Sequence, residues 1–200
     1  FADVYTGVAE TRKRAIDLGS IQRIKDVDLG GNQNLEFARD LFLFSFYCRG
    51  MAFVDMAHLK KYKIVDGLLT YNRQKTKRQI LIRLEPPIQE IIDKYTTDSQ
   101  YLLPIVKETG EPVYEQYMRI NKNVCRWLKT VGKMANIDCN LTIYVARHSW
   151  TSIAKQRNHQ LGTISRALGH TSERTTQIYL ASFDNSAVDE VNSDILNGLK

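Results

Sequence analysis

The sequence predicts an α+β domain that is mainly α-helical, a helical bundle carrying one small three-stranded antiparallel sheet. Three observations predict it. Apolar residues recur at helical spacing over most of the chain, the period changes to two between Lys63 and Leu84, and Pro86-Pro87 closes that strand-like stretch. The 200 residues are 43% hydrophobic, with 11 Gly and 4 Pro, which excludes a disordered or collagen-like chain and suffices for a sizeable core.

The elements follow in order. Residues 8–26 are mixed in character, with a basic knot at Arg12, Lys13 and Arg14. Asp28–Asn34 is loop-like, and Asn34 can cap a helix whose apolar positions run from Leu35 through Phe44. Aromatic residues at 42, 44, 46 and 47 cover more than one face, so this helix is expected to be central. After Gly50 comes a second helical stretch, Met51–Leu59. Lys63–Val65 and Leu68–Tyr71 flank Asp66-Gly67, the residue pair that a tight hairpin turn favours. A turn at Gln74–Arg78 leads to a third strand at Gln79–Leu84. Helices are then expected at 88–95, 114–134, about 145–157, 160–168 and 172–180, and in the tail at about 187–198, with 98–113 irregular. The domain is placed at 1–183 and the tail helix at 184–200.

Charge is unevenly distributed. Lys and Arg total 28 against 22 Asp and Glu, a formal net charge of +6. Between Lys60 and Arg83 lie eight basic residues against one acidic, Asp66. A polyanionic partner fits such a segment. The longest apolar stretch, Leu41–Cys48, is too short for a membrane span, and no secretory signal pattern opens the chain. Three cysteines without CxxC spacing fit neither a disulfide framework nor a zinc site, so a cytoplasmic setting is expected, with no metal. The chain begins at Phe1 and reads as a piece of something longer.

The residues that could do chemistry cluster late. Arg147 sits in an apolar helical run, where it could form a buried ion pair or bind an oxyanion through its planar fork. His170 follows Gly169 in an interhelical turn, and Tyr179 comes nine residues later. Taken singly each has a structural explanation. Together, Arg147-His148, Leu168-Gly169-His170 and Thr175-x-x-x-Tyr179 resemble the tyrosine recombinase (phage integrase) family over nearly the whole chain.

That resemblance implies a DNA strand-transfer enzyme without a cofactor. Tyr179 would be the nucleophile, leaving a 3′-phosphotyrosine and a free 5′-hydroxyl, with Arg147 and His170 stabilising charge on the phosphate. The leaving-group acid would be Lys75, preferred to Lys77, on the turn between the second and third strands. Two positions depart from the family pattern. Alignment through Gly50, Met51 and Asp55 puts Ala52 where an arginine is usual, and Arg49, one helical turn away if a helix holds both, is expected to stand in. Tyr144 occupies a place where His or Lys is usual and would donate a hydrogen bond without a charge. Asp55 would hold the active-site arginines.

Phosphate contacts are expected from Lys60, Lys61, Arg73, Lys77, Arg78 and the Arg12–Arg14 knot. The implied partner is double-stranded DNA at the attachment sites of a mobile element. The chain would be a monomer when free and a homotetramer on DNA, with no membrane partner and a nucleoid-associated location. The tail, apolar at Val188, Val191, Ile195 and Leu196, would dock on a neighbouring protomer. Two other readings are a type IB topoisomerase-like relaxer and a recombinase-fold DNA-binding domain with impaired catalysis.

Overall fold

The computed structural model describes residues 15–180, with the backbone alone at 178–180. Eight α-helices, one 3-10 turn and a three-stranded sheet make up the described chain. They run α1 (Leu18–Asp26), α2 (Gln33–Tyr47), α3 (Phe53–Ala57), the 3-10 turn (Lys61–Lys63), β1 (Ile64–Val65), β2 (Leu68–Asn72), β3 (Gln79–Arg83), α4 (Pro86–Lys94), α5 (Val113–Met134), α6 (Ile143–Gln156), α7 (Leu161–Ala167) and α8 (Glu173–Leu180). The mainly helical architecture with one small antiparallel sheet is the one expected.

Helix α2 is the central element. Its cap is Asn32, two residues before the expected one, the side chain of Asn32 accepting from the backbone N–H groups of Asn34 and Leu35. It packs against α1, α4, α5 and α6. Leu41, Phe42 and Phe44 are fully buried among Val124, Leu128 and Val131 of α5 and Val145 and Ala146 of α6. Burial on several faces is what its crowd of aromatic residues requires. Asp40, also buried, accepts from Lys94 Nζ at 2.7 Å and Tyr95 Oη at 2.8 Å, fixing the end of α4 to α2.

Helix α1 lies within a stretch that reads as mixed. Asp17 caps it by accepting from Ser20 N at 2.6 Å, and Ile21 and Ile24 turn one apolar face inward. The segment between α4 and α5 is irregular as expected, yet Leu102, Leu103, Ile105 and Val106 are buried. Buried loop backbone needs partners, and the buried Gln116 supplies them. Its amide accepts from Lys107 N and donates to the carbonyls of Lys107 and Glu111.

The strands pair in the order β1-β2-β3, antiparallel, with Leu69 opposite Ile82 and Tyr71 opposite Ile80. These four residues form the buried face of the sheet, a period-two pattern that side-chain alternation dictates. Among the described residues no helix is long and apolar enough to cross a membrane.

Candidate active site

Three turns converge on Arg147: the α2–α3 turn, the β2–β3 turn and the α7–α8 turn. Helix α2 is followed by Arg49 (φ 61°) and Gly50 (φ 70°), both left-handed, with Gly50 N donating to Ser45 O at 2.7 Å. The reversal brings the Gly50 backbone onto α6. A Cβ there would lie 2.5 Å from Arg147 Cα, so only glycine allows the approach. Gly50 O then accepts from Arg147 Nη1 at 2.8 Å.

The other end of that guanidinium holds the α7–α8 turn. Arg147 Nη2 donates to Leu168 O at 2.7 Å and reaches His170 Nε2 at 3.0 Å. A guanidinium has no acceptor, so Nε2 accepts and Nδ1 carries the proton. That proton is donated to Thr176 Oγ1, 2.8 Å away on α8. Arg147 and His170 are each 4% exposed, deep enough for charge to be felt strongly. Burial, followed by the positive charges of Arg147, Arg73 and Lys75, pushes His170 down to about 4, so it is neutral at pH 7.

The β2–β3 turn closes the site from a third side. Arg73 N donates to Arg78 O at 2.9 Å, and Lys77, at φ 56°, donates its N–H to Arg73 O at 2.8 Å. Side chains from this turn grip the α7–α8 turn. Arg73 Nη1 and Thr76 Oγ1 each donate to Gly169 O at 3.1 Å, and Arg78 Nη1 donates to His170 O at 2.7 Å. Gly169, at φ 63°, permits this contact, because a Cβ there would lie 2.7 Å from Ile80 Cδ1. Asp55 on α3 completes the frame, its Oδ1 accepting from Gln74 N at 2.8 Å. Burial raises the Asp55 pKa against the opposing pull of the Gln74 N–H, Arg73 and Arg147.

The structure therefore brings together Arg147, His170, Asp55 and the turn that bears Lys75. Lys75 and Lys77 are both exposed, and the charge of Lys75 acts on His170. Tyr144, on the first turn of α6, is 44% exposed and stacks edge-on with His148, ring centroids 4.5 Å apart. It lines a groove with Gly50, Met51, Tyr117 and Arg147. The side chain of Tyr179, like the basic knot and the tail, lies outside the described residues, although position 179 falls on α8.

Two expectations need correction. Arg49 and Ala52 do not share a helix, since α2 ends at Tyr47 and α3 begins at Phe53. Arg49 lines a different groove, with Phe46, Leu81 and Trp150, and is not among the charges that shift His170. Arg73, expected among the phosphate contacts with the exposed lysines of its turn, is itself buried, at 7% exposure. Sequence reasoning named Arg73 but missed its burial, although Leu69, Tyr71 and Arg73 alternate inward along β2 and the residue that follows it. Lys60 and Lys61 turn toward the 97–101 loop, Lys60 Nζ lying 3.2 Å from the Tyr101 ring centroid and Lys61 donating to Thr97 O. Arg78, exposed along its side chain, spends its guanidinium on the α7–α8 turn.

Among the described residues no group of three His, Cys, Asp or Glu side chains could hold a metal ion. Residues 38–186 match the model of the phage integrase family. A tyrosine recombinase of Thermosipho africanus is 26% identical over 150 residues, covering 60% of this chain and 53% of that protein. XerH recombinase, solved bound to its palindromic difH substrate, matches 90% of this chain and 52% of its own at a TM-score of 0.64 and 18% identity. A lambda integrase tetramer bound to a Holliday junction matches 82% of this chain and 47% of its own, at a TM-score of 0.58 and 17% identity. The chain thus spans about half the length of the relatives it matches. With the three turns gathered on Arg147 and the family match running across most of the chain, the protein belongs to the phage integrase family of tyrosine recombinases.

Proposed function

We propose that this chain is the catalytic domain of a site-specific recombinase that cuts and rejoins double-stranded DNA to move a mobile element. The observation that carries the reading is the buried Arg147–His170 pair at 3.0 Å, tied through Thr176 to the helix that bears position 179. Tyr179 Oη, its phenol proton released to water, attacks the scissile phosphorus as the phenolate, forming the 3′-phosphotyrosine bond as the bond to the 5′-oxygen breaks. The 5′-oxygen leaves as a hydroxyl, taking a proton from Lys75. Arg147 donates to a non-bridging oxygen as charge develops there, in a site too buried for water to screen it. Neutral His170, its Nε2 accepting from Arg147 and its Nδ1–H given to Thr176, orients that guanidinium and adds no charge of its own. Re-attack by a 5′-hydroxyl reverses the step, so the bond energy is kept in the intermediate and no nucleotide cofactor is consumed.

Assembly on DNA as a tetramer belongs to the same reading, with the tail helix of one protomer seated on the next. The apolar groove beside α6 and α7, lined by Phe46, Leu81, Trp150, Ile153 and Ala167, supports such a docking.

The test is a covalent adduct on a nicked duplex built from the DNA flanking the gene. The chain is expected to form an adduct stable to denaturant, and Tyr179→Phe none. Binding without any adduct would instead support a DNA-binding domain of this fold with impaired catalysis, a reading favoured by Ala52 and the uncharged Tyr144.

A further inference from the structure

We propose that Arg73 is a second phosphate-binding guanidinium of the active site, donating to a non-bridging oxygen of the scissile phosphodiester beside Arg147. The proposal rests on the strand-transfer reading above and assigns to the hairpin a role expected of Arg49.

Four observations carry it. Arg73 is more than nine-tenths buried, although it sits at the end of a hairpin among exposed Lys75, Lys77 and Arg78. Its Nη1 is anchored on Gly169 O, but its buried Nε has no hydrogen-bond partner among the described residues. A buried donor left unsatisfied is costly, the more so when charged, so such a group is retained where an acceptor is to come. Third, the charge of Arg73 acts on both His170 and Asp55, as does that of Arg147, which places the two guanidinia around one centre. Fourth, Asp55 offsets one of these charges at most, and its Oδ1 is already committed to Gln74 N. Two buried guanidinia beside one carboxylate leave the centre positive, and a phosphodiester supplies the missing negative charge with acceptors that match the planar fork.

The contact predicts a specific chemical signature. Replacing a non-bridging oxygen by methyl gives a methylphosphonate, which carries no negative charge and no longer needs both guanidinia. Adduct formation is measured on two nicked duplexes from the flanking DNA, one with the natural scissile phosphate and one with a methylphosphonate there. Arg73→Ala is expected to slow adduct formation about 100-fold relative to the unaltered chain on the phosphodiester, the usual scale for losing one such donor. On the methylphosphonate the same variant should come within about fivefold of the unaltered chain, because the charge it would meet is gone. Arg73→Met, which keeps the buried stem, should behave alike. Equal losses on both substrates, in both variants, would mean that Arg73 only holds the turn and would overturn the assignment. So would undiminished cleavage of the phosphodiester. Failure of the unaltered chain to form an adduct on either duplex would overturn the recombinase reading itself, and the assignment with it.

Discussion

The α2–α3 turn and the β2–β3 turn make an instructive pair. Both carry an arginine, both contain a left-handed residue that is not glycine, and both touch the Arg147 centre through backbone or side chain. They handle their arginines oppositely. In the first, two successive left-handed residues present the Gly50 carbonyl to Arg147 and turn Arg49 into the outer groove. In the second, strand alternation carries Arg73 inward and the α7–α8 turn closes over it. What decides which arginine turns toward the Arg147 centre is the backbone path at each turn, not nearness along the chain to an expected motif.

The comparison can be broken hardest at Gly50. Gly50→Ala would place a methyl against the Arg147 backbone in a conformation unfavourable to L-residues, and about 3 kcal/mol of stability should be lost. Gly169→Ala meets the movable end of Ile80 instead, so its loss should be nearer 1–2 kcal/mol, of the order of a mild overpacking. Urea midpoints of the two variants measure the difference, and an equal cost would mean that α6 yields as readily as a methyl group does.

A smaller effect distinguishes the charges. His170 is held near 4 partly by Arg73, so Arg73→Met should raise its pKa, whereas Arg49→Ala should leave it in place. NMR titration of the ring reads this directly. The linkage runs the same way: between about 4 and the unfolded value near 6.5 the unfolded chain binds the extra proton. Stability present above pH 6.5 is therefore lost as pH falls toward 4, and His170→Gln should flatten that part of the profile. The smallest effect belongs to Arg49→Ala. Cleavage should stay within about threefold and stability within about 0.5 kcal/mol, as for other partly exposed side chains without a buried partner. A complete loss of cleavage would restore Arg49 to the site and reverse the comparison.

Much of the fold was legible because its signals are local. The Asp66-Gly67 turn, the paired prolines that open α4 and the 3.6-residue period of α5 each lie within a few residues of what they determine. Helix α1 escaped because only three apolar positions and one cap mark it, beside a run of charges. In the site, Arg147 and His170 could be singled out because the pattern they form with Tyr179 resembles that of a known family. Arg73 could not be read with its neighbours, since a basic hairpin tip ordinarily lies in solvent, and its burial depends on Gly169, 96 residues away. The alternation Leu69, Tyr71, Arg73 was the available clue, masked by the charges around it. The conformation of Arg49 left no such trace: nothing in Cys48-Arg49-Gly50 distinguishes one left-handed residue from two.

The grip of the β2–β3 turn on the α7–α8 turn also bears on how this protein can vary. Hairpin loops are ordinarily the places where a chain accepts extra residues. Here the loop from Arg73 to Arg78 is closed by two backbone hydrogen bonds and fastened at Gly169 and His170 by three of its six side chains. One inserted residue would carry Arg78 off His170 O or Arg73 out of its burial, whatever its chemistry. Length at this loop is therefore as constrained as sequence, and natural relatives that add residues here must fasten the histidine turn by some other means.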